Sequence, residues 1–283
     1  MHSLSSYRAG DMKWSDPWGK FGSGDSPHHL AHHCADVAAC FEVICALPVV
    51  RARLEGAAGR TLRQPDIARL CVLVFLHDCG KLHPGFQAKG WPAGIRQDFV
   101  GHLVAGAAIF GCHHETEKLA RALNIEALVS WGVDATLLYA VLAHHGRPFK
   151  FDDTAKRGWR KVEATGYDPL TAAEEMGRAM RLWFEPAFVD GGDPLPNSPD
   201  FQHLLCGLVM LADWLGSTEE IFSYVPDLDP DYWPKAQAKA REAVERIGLD
   251  TKRLRAFLEG RADFATLTGG YAPRPAQAAG GNV

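Results

Sequence analysis

No apolar run in this chain approaches the roughly 20 residues that a membrane-spanning helix needs, and the polar start lacks the hydrophobic segment of a signal peptide. A membrane partner is therefore not expected. There is no C-x-x-C pair. The 7 cysteines are scattered and odd in number, which excludes a disulfide scaffold and reads as reduced, mostly buried thiols of a cytoplasmic protein. There is no G-x-x-x-x-G-K-[ST] loop: Gly19-Lys20 and Gly80-Lys81 both lack the earlier glycine and the following Ser or Thr, so no ATP site is expected in this chain. Positive charge is not in surplus. With 30 basic against 34 acidic residues the net charge is −4, which argues against broad electrostatic capture of nucleic acid. A local basic groove or a metal cluster remains as a way to hold phosphate. No internal repeat and no convincing period-two stretch is present, so the expected fold class is all-α.

What the chain does have is 283 residues at 47% hydrophobic, enough to bury a large core, and 13 histidines that fall in clusters. Residues 1–27, with Trp14 and Trp18, have no clear period and read as an irregular lead-in. From His28, Leu30, Val37, Phe41, Ile44 and Leu47 recur at helical spacing until Pro48. Gln64-Pro65-Asp66 opens a second helix, whose stripe Ile67, Leu70, Cys71, Val74 and Phe75 is expected to run on to Gly80. Further helices are expected from Asp98 to Phe110 with Asp98 as cap, from Glu115 to Leu123, and from Asp134, as cap, to Ala143. Others follow from Thr171, as cap, to Trp183, from Phe201 to Gly216, and near Pro234–Ile247 and Thr251–Leu258. The Gly/Ala/Pro-rich end reads as a loose tail, giving a main domain of residues 1–265 and a tail of 266–283.

Five segments put His or Asp at or near helix ends. They are His32-His33-x-x-Asp36, His77-Asp78, His102, His144-His145 and Asp213. The adjacent imidazole and carboxylate of His77-Asp78 suit a divalent metal, though such a pair alone is more often hydrogen-bonded at a helix end. Asp213 sits in an otherwise apolar helix, where a carboxylate is costly unless paired or metal-bound. Taken together, the five segments favour a metal site.

The phrase H-D-C-G-K resembles the H-D-x-G-K signature of the HD phosphohydrolase superfamily. W-G-K, H-H-L-A-H-H-C-A-D-V-A, H-D-C-G-K-L-H-P-G-F-Q, the single His102, A-H-H-G-R and L-A-D-W-L-G-S occur in the order found in the HD nuclease domain of the CRISPR-associated helicase-nuclease of type I systems. That resemblance spans Trp14 to Ser217. It departs at G-H-L, where R-H-E is more usual, which leaves His113 and His114 as alternatives to His102. It implies an HD helical bundle with one metal held by His33, His77, Asp78 and Asp213. Asp78 would bridge to a second metal held by His102, His144 and His145. Nitrogen and oxygen donors without thiolate suit Mn, Fe, Ni or Co and permit Mg. Two cations about 3.5–4 Å apart can hold the attacking and leaving oxygens of a phosphodiester displacement. The implied catalytic residues are Asp78 and Lys81, the latter neutralising a phosphate oxygen or orienting the water; a solvated lysine is the plainer alternative. Ser217 and Asp36 are expected to hydrogen-bond ligands. His28, His29, His32 and His83 are expected on the surface or in a groove.

Trp91, Arg96, Arg147, Lys150, Lys156, Arg157 and Arg160 lie in loops beside site segments and could guide a strand by stacking and charge, or form an ordinary solvated face. The implied function is metal-dependent cleavage of single-stranded DNA exposed by a CRISPR surveillance complex with guide RNA. ATP-driven unwinding would be left to a helicase domain or chain. The tail phrase Y-A-P-R-P-A-Q resembles the opening of the helicase part in fused relatives. The alternatives are an HD phosphohydrolase acting on a small nucleotide and a non-catalytic binding module.

Overall fold

Strand β1 (Trp18–Phe21) and strand β2 (Pro27–His29) form an antiparallel ribbon at the start of the fold, with Lys20 opposite His28 and a bulge between Trp18 and Lys20. The computed structural model describes residues 13–22, 26–111, 113–146, 153–251, 269–272 and 274. The chain divides into a body, Met1–Val244, and a second unit, Glu245–Val283, in which residues 269–272 are exposed. The expected Thr251–Leu258 helix and most of the tail lie outside the described residues.

The lead-in was expected to be irregular. Strands of four and three residues are too short to show an alternation in the sequence, and tertiary partners form this ribbon instead. The buried Gln87 amide accepts from the Trp18 backbone N–H (3.0 Å) and donates to the Trp18 and Lys81 carbonyls (3.0 and 2.7 Å). The ribbon is thus tied to the His77-Asp78 turn. Apart from the ribbon and an isolated bridge, Val162 to Tyr167, the body is helical, as expected.

Helix α1 (Leu30–Cys45) is the central element. All its residues except Glu42 and Val43 are buried, so the apolar stripe read in the sequence understates its burial. Around it stand α2 (Pro48–Ala58), α3 (Gln64–Phe75) and α10 (Pro199–Gly216). Small residues Ala31, Ala35, Ala38 and Ala39 let these neighbours come close. Gly216 carries this furthest: a Cβ there would lie 2.8 Å from the Val37 nitrogen, so only glycine lets the end of α10 rest on α1. Phe41, Leu70, Leu73, Phe75, Phe201 and Leu205 fill the core between these helices, each such side chain contributing about 1.5–3 kcal/mol.

After α3 the chain tightens into a 3-10 turn, Leu76–Leu82, all of it buried, rather than continuing as α-helix to Gly80. The His77 ring takes the Val74 carbonyl (2.7 Å), one of the acceptors that a longer α-helix would pair with backbone N–H. Helix α4 (Pro84–Gln87) follows, capped by His83. Helix α5 (His102–Phe110) takes Gly101 as its cap, three residues later than the expected Asp98. The Asp98 carbonyl is pressed against Gly85, which holds that stretch outside the helix. Helices α6 (Glu117–Ala122), α7 (Ile125–Ser130) and α8 (Ala135–Leu142) come next, with Asp134 capping α8 as expected. Helix α9 (Pro169–Trp183) is capped by Asp168 and not by Thr171, because the Asp168-Pro169 pair supplies both an acceptor for Leu170 and a preset first turn. Ser198 caps α10, and α11 (Tyr232–Arg246) closes the body. Among the described residues, no single helix is long and apolar enough to cross a membrane.

Candidate metal centre

Five elements deliver candidate ligands to one point. Helix α1 brings His33, fully buried; the 3-10 turn brings His77 and Asp78; the start of α5 brings His102; the turn after α8 brings His144 and His145; α10 brings Asp213 one turn before its contact with α1. Gly80 sets the α5 distance: a Cβ there would strike the His102 carbonyl.

The donors fall into two groups. In the first, His33, His77, Asp78 and Asp213 have ligand atoms within 4.8 Å of one another; the second is His102, His144 and His145. Asp78 stands between them. Its Oδ2 lies 3.0 Å from His33 Nε2 and 3.2 Å from His77 Nε2, while its Oδ1 lies 3.4 Å from His102 Nε2 and 3.7 Å from His144 Nε2. Asp213 Oδ1 is 3.7 Å from both His33 and His77 Nε2 and accepts from Ser217 Oγ at 3.2 Å. His145 Nε2 meets His102 Nε2 at 2.9 Å. His113 and His114 belong to neither group.

Hydrogen bonds decide where the protons sit. His77 Nδ1 donates to the Val74 carbonyl and His144 Nδ1 to the Val141 carbonyl (3.1 Å), so both rings turn an Nε2 lone pair inward. Those two Nε2 atoms and Asp78 Oδ1 are buried without a hydrogen-bond partner. Three orphaned acceptors converging within a few ångströms call for a cation, so the residues fit a divalent metal. Cys34 and Cys79 lie close by, but burial pushes both thiols up and keeps them protonated. The donor set is therefore nitrogen and oxygen.

The electrostatics agree. Burial pulls the His102 and His144 imidazoles down, to about 4 and about 3, and moves His33 well below its ordinary value, so all three rings are neutral and able to ligate. Burial also opposes charge on Asp78, yet Lys81 and His77 outweigh it and hold the carboxyl well below the usual range. Asp213 is likewise lowered, its burial overcome by His77 and His33. His77 is raised to about 9, since Asp78 and Asp213 together outweigh its burial, so its inward Nε2 holds a proton that a cation bound there would replace.

Lys81 is not solvated. It is 5% exposed, and its ammonium lies 2.6 Å from Asp78 Oδ2 and donates to the Gly19 carbonyl at 2.9 Å. Asp36, expected to support a ligand, touches none. It accepts from His28 Nε2 (2.8 Å) and the Tyr232 hydroxyl (3.3 Å), because that stretch of α1 faces residues 224–232. The four spare histidines are buried, contrary to expectation. His28 and His32 bind the backbone of Val225 and Asp229, His29 caps α1, and His83 caps α4 while donating to the Arg157 carbonyl (2.8 Å). Their rings carry the packing between segments, which residue type alone does not disclose.

Trp91 is also buried, beside Tyr167, and offers no face for stacking. Arg157 and Arg160 do line a groove of about 1020 Å³ with His83, Phe99, His114 and Trp159. Arg147 and Lys150 lie outside the described residues. Gln87 and Gly19, which tie the ribbon to the site, were missed by sequence reasoning; the phrases H-P-G-F-Q and W-G-K that contain them were the available signal.

A largely buried His/Asp group beside a more open trio of histidines on a helical scaffold defines a metal-dependent hydrolase of the HD class. The profile of the Cas3 HD domain matches residues 18–222, and the chain belongs to that family. The CRISPR-associated endonuclease/helicase Cas3 of Thermus thermophilus is 31% identical over 272 residues, covering 91% of this chain and 28% of that protein. The Escherichia coli protein of the same name is 26% identical, covering 92% of this chain and 32% of its own length. This chain thus spans about a third or less of those relatives. Among solved structures, the Thermus thermophilus Cas3 HD domain in the presence of Ni2+ superposes with a TM-score of 0.55 at 26% identity, over 83% of this chain and 89% of that one. T. fusca Cas3 with ATP shares the fold alone, at a TM-score of 0.51 and 20% identity, over 82% of this chain and 26% of that one.

Proposed function

We propose that this chain is the nuclease domain of a type I CRISPR helicase-nuclease, residues 1–265 forming the domain and 266–283 leading towards the helicase part. It cuts single-stranded DNA with two divalent cations, Mn, Fe, Ni or Co before Mg. His33, His77, Asp78 and Asp213 hold one; His102, His144 and His145 hold the other, with Asp78 shared. The observation that carries this reading is the carboxylate of Asp78, which turns one oxygen to each group of ligands.

Cations bound there supply Lewis acidity to the phosphoryl oxygens and lower the pKa of water at the site. The chain's own residues do the rest. Val74 and Val141 hold the Nδ1 protons of His77 and His144, which keeps both Nε2 lone pairs aimed inward. Ser217 orients Asp213. Lys81, fixed between Asp78 and Gly19, provides a positive charge as negative charge grows on the phosphoryl oxygens. The relatives named CRISPR-associated endonuclease/helicase support a helicase partner in a CRISPR system; on this reading that partner unwinds with ATP and a guide-RNA surveillance complex exposes the strand.

Circular single-stranded DNA, incubated with Mn or Ni, tests the reading. Cleavage that chelator abolishes is expected. Intact circles, with hydrolysis of free nucleotides instead, would move the assignment to a nucleotide phosphohydrolase.

A further inference from the structure

We propose that Lys20 is a substrate-binding residue of the metal centre, taking a phosphate oxygen beside Lys81. This deepens the nuclease reading and rests on it for the identity of the substrate, but not for the phosphate chemistry.

Lys20 has the placement of a site residue. It follows the β1 bulge, where Gly19 is pressed onto α1: a Cβ on Gly19 would lie 2.8 Å from His33 Cβ, the side chain of a metal ligand. The Gly19 carbonyl is held by Lys81 and the Trp18 backbone by Gln87. Opposite Lys20 in the ribbon stands His28, itself locked to Asp36 and Val225. The backbone that carries Lys20 is therefore fixed on both flanks. Its side chain is half-buried, and its ammonium lies within electrostatic reach of Lys81, Asp213 and Asp78. It makes no hydrogen bond and no ion pair with any described residue, unlike Lys81, which is committed to Asp78 and Gly19.

Charge counting says what is missing. The two carboxylates, Asp78 and Asp213, are matched by a single divalent cation. Lys20 and Lys81 then remain as surplus positive charge in a partly desolvated site, and a second cation enlarges the surplus. Such a site takes an anion, and a phosphate group, whose oxygens can meet cations and an ammonium at once, suits it. The uncommitted ammonium is the one free to bind it, as a point charge with rotatable donors. The phosphate can belong to a polynucleotide backbone or to a free phosphate, and the two arms of the test separate these.

The test uses the full chain loaded with Mn. Inorganic phosphate binding is measured by calorimetry on the wild type, Lys20→Gln, Lys20→Met and Lys20→Arg, together with bound metal per chain, melting temperature, and kcat and KM on single-stranded DNA. Loss of a charged hydrogen bond should weaken phosphate binding about tenfold to a hundredfold in the Gln and Met variants. Metal content and melting temperature should hold, Arg should recover most of the affinity, and the DNA defect should appear in KM. Phosphate binding equal to wild type in Lys20→Gln and Lys20→Met overturns the proposal. So does loss of metal in parallel with phosphate, or a wild type that binds no phosphate. Should the wild type leave DNA intact while Lys20→Gln still loses phosphate, Lys20 keeps its role and the nuclease reading falls.

Discussion

His28 and His32 are histidines of the same helical entry as the ligand His33, yet they serve the opposite purpose. His32 has both ring nitrogens on the backbone of Val225 and Asp229, His28 is held by the Val225 N–H and the Asp36 carboxylate, and His32 stacks on Tyr232 at 3.9 Å. Burial holds both imidazoles at about 4, against an ordinary value of 6.5. Their folded pKa is depressed, so between pH 6.5 and 4 the unfolded chain binds protons that the folded chain does not. These two rings, opposed by Asp36 whose carboxyl burial raises well above its ordinary value, lower stability as pH drops through 6.5 towards 4. His33, His102 and His144 act in the same direction, while the raised His77 contributes below pH 6.5 in full and loses its share only as pH rises through about 9. Chemical denaturation of the chelated protein at pH 7, 5.5 and 4.5 checks this: the midpoint should decline steadily, and a flat profile would refute the buried neutral histidines.

Elements, more than single side chains, make the site. The 3-10 turn is pinned by Gln87 and Lys81 to the ribbon, by the Tyr167 hydroxyl to the loop before α9 (2.6 Å to the Leu82 carbonyl), and by close approach to α5. Gly80 is the weak point of that arrangement. Gly80→Ala drives a methyl into the His102 carbonyl, which cannot move without shifting α5. Overpacking of this kind typically costs about 1–3 kcal/mol, and it pushes His102 away from Asp78. The variant should lose stability by that amount and hold less metal at the second group of ligands. Metal titration with an unchanged stoichiometry would contradict it. The seven candidate ligands that the fold brings together were named from the sequence, through the His/Asp segments at or near helix ends and through the resemblance to the HD family. The Asp134 cap was legible for the same reason. The ribbon, the late start of α5 and the burial of His28, His32 and His83 were not, since partners far along the chain decide each of them.

At the scale of the whole body, one helix organises everything. Buried α1 meets α3 and α10, and the same contacts that build the core carry His33, the His77-Asp78 turn and Asp213 to one point. Helices α5 and α8 then bring the second group of ligands to the other oxygen of Asp78. Core and centre are one construction, which is why a chain with net charge −4 can still present a positively charged site to phosphate once cations are bound. The central claim is that Asp78 serves two cations. Anomalous diffraction from crystals grown with Mn tests it most directly. The expected map has two peaks about 3.5–4 Å apart, one on each side of the Asp78 carboxylate. A single peak, or two peaks that do not share Asp78, would contradict the account.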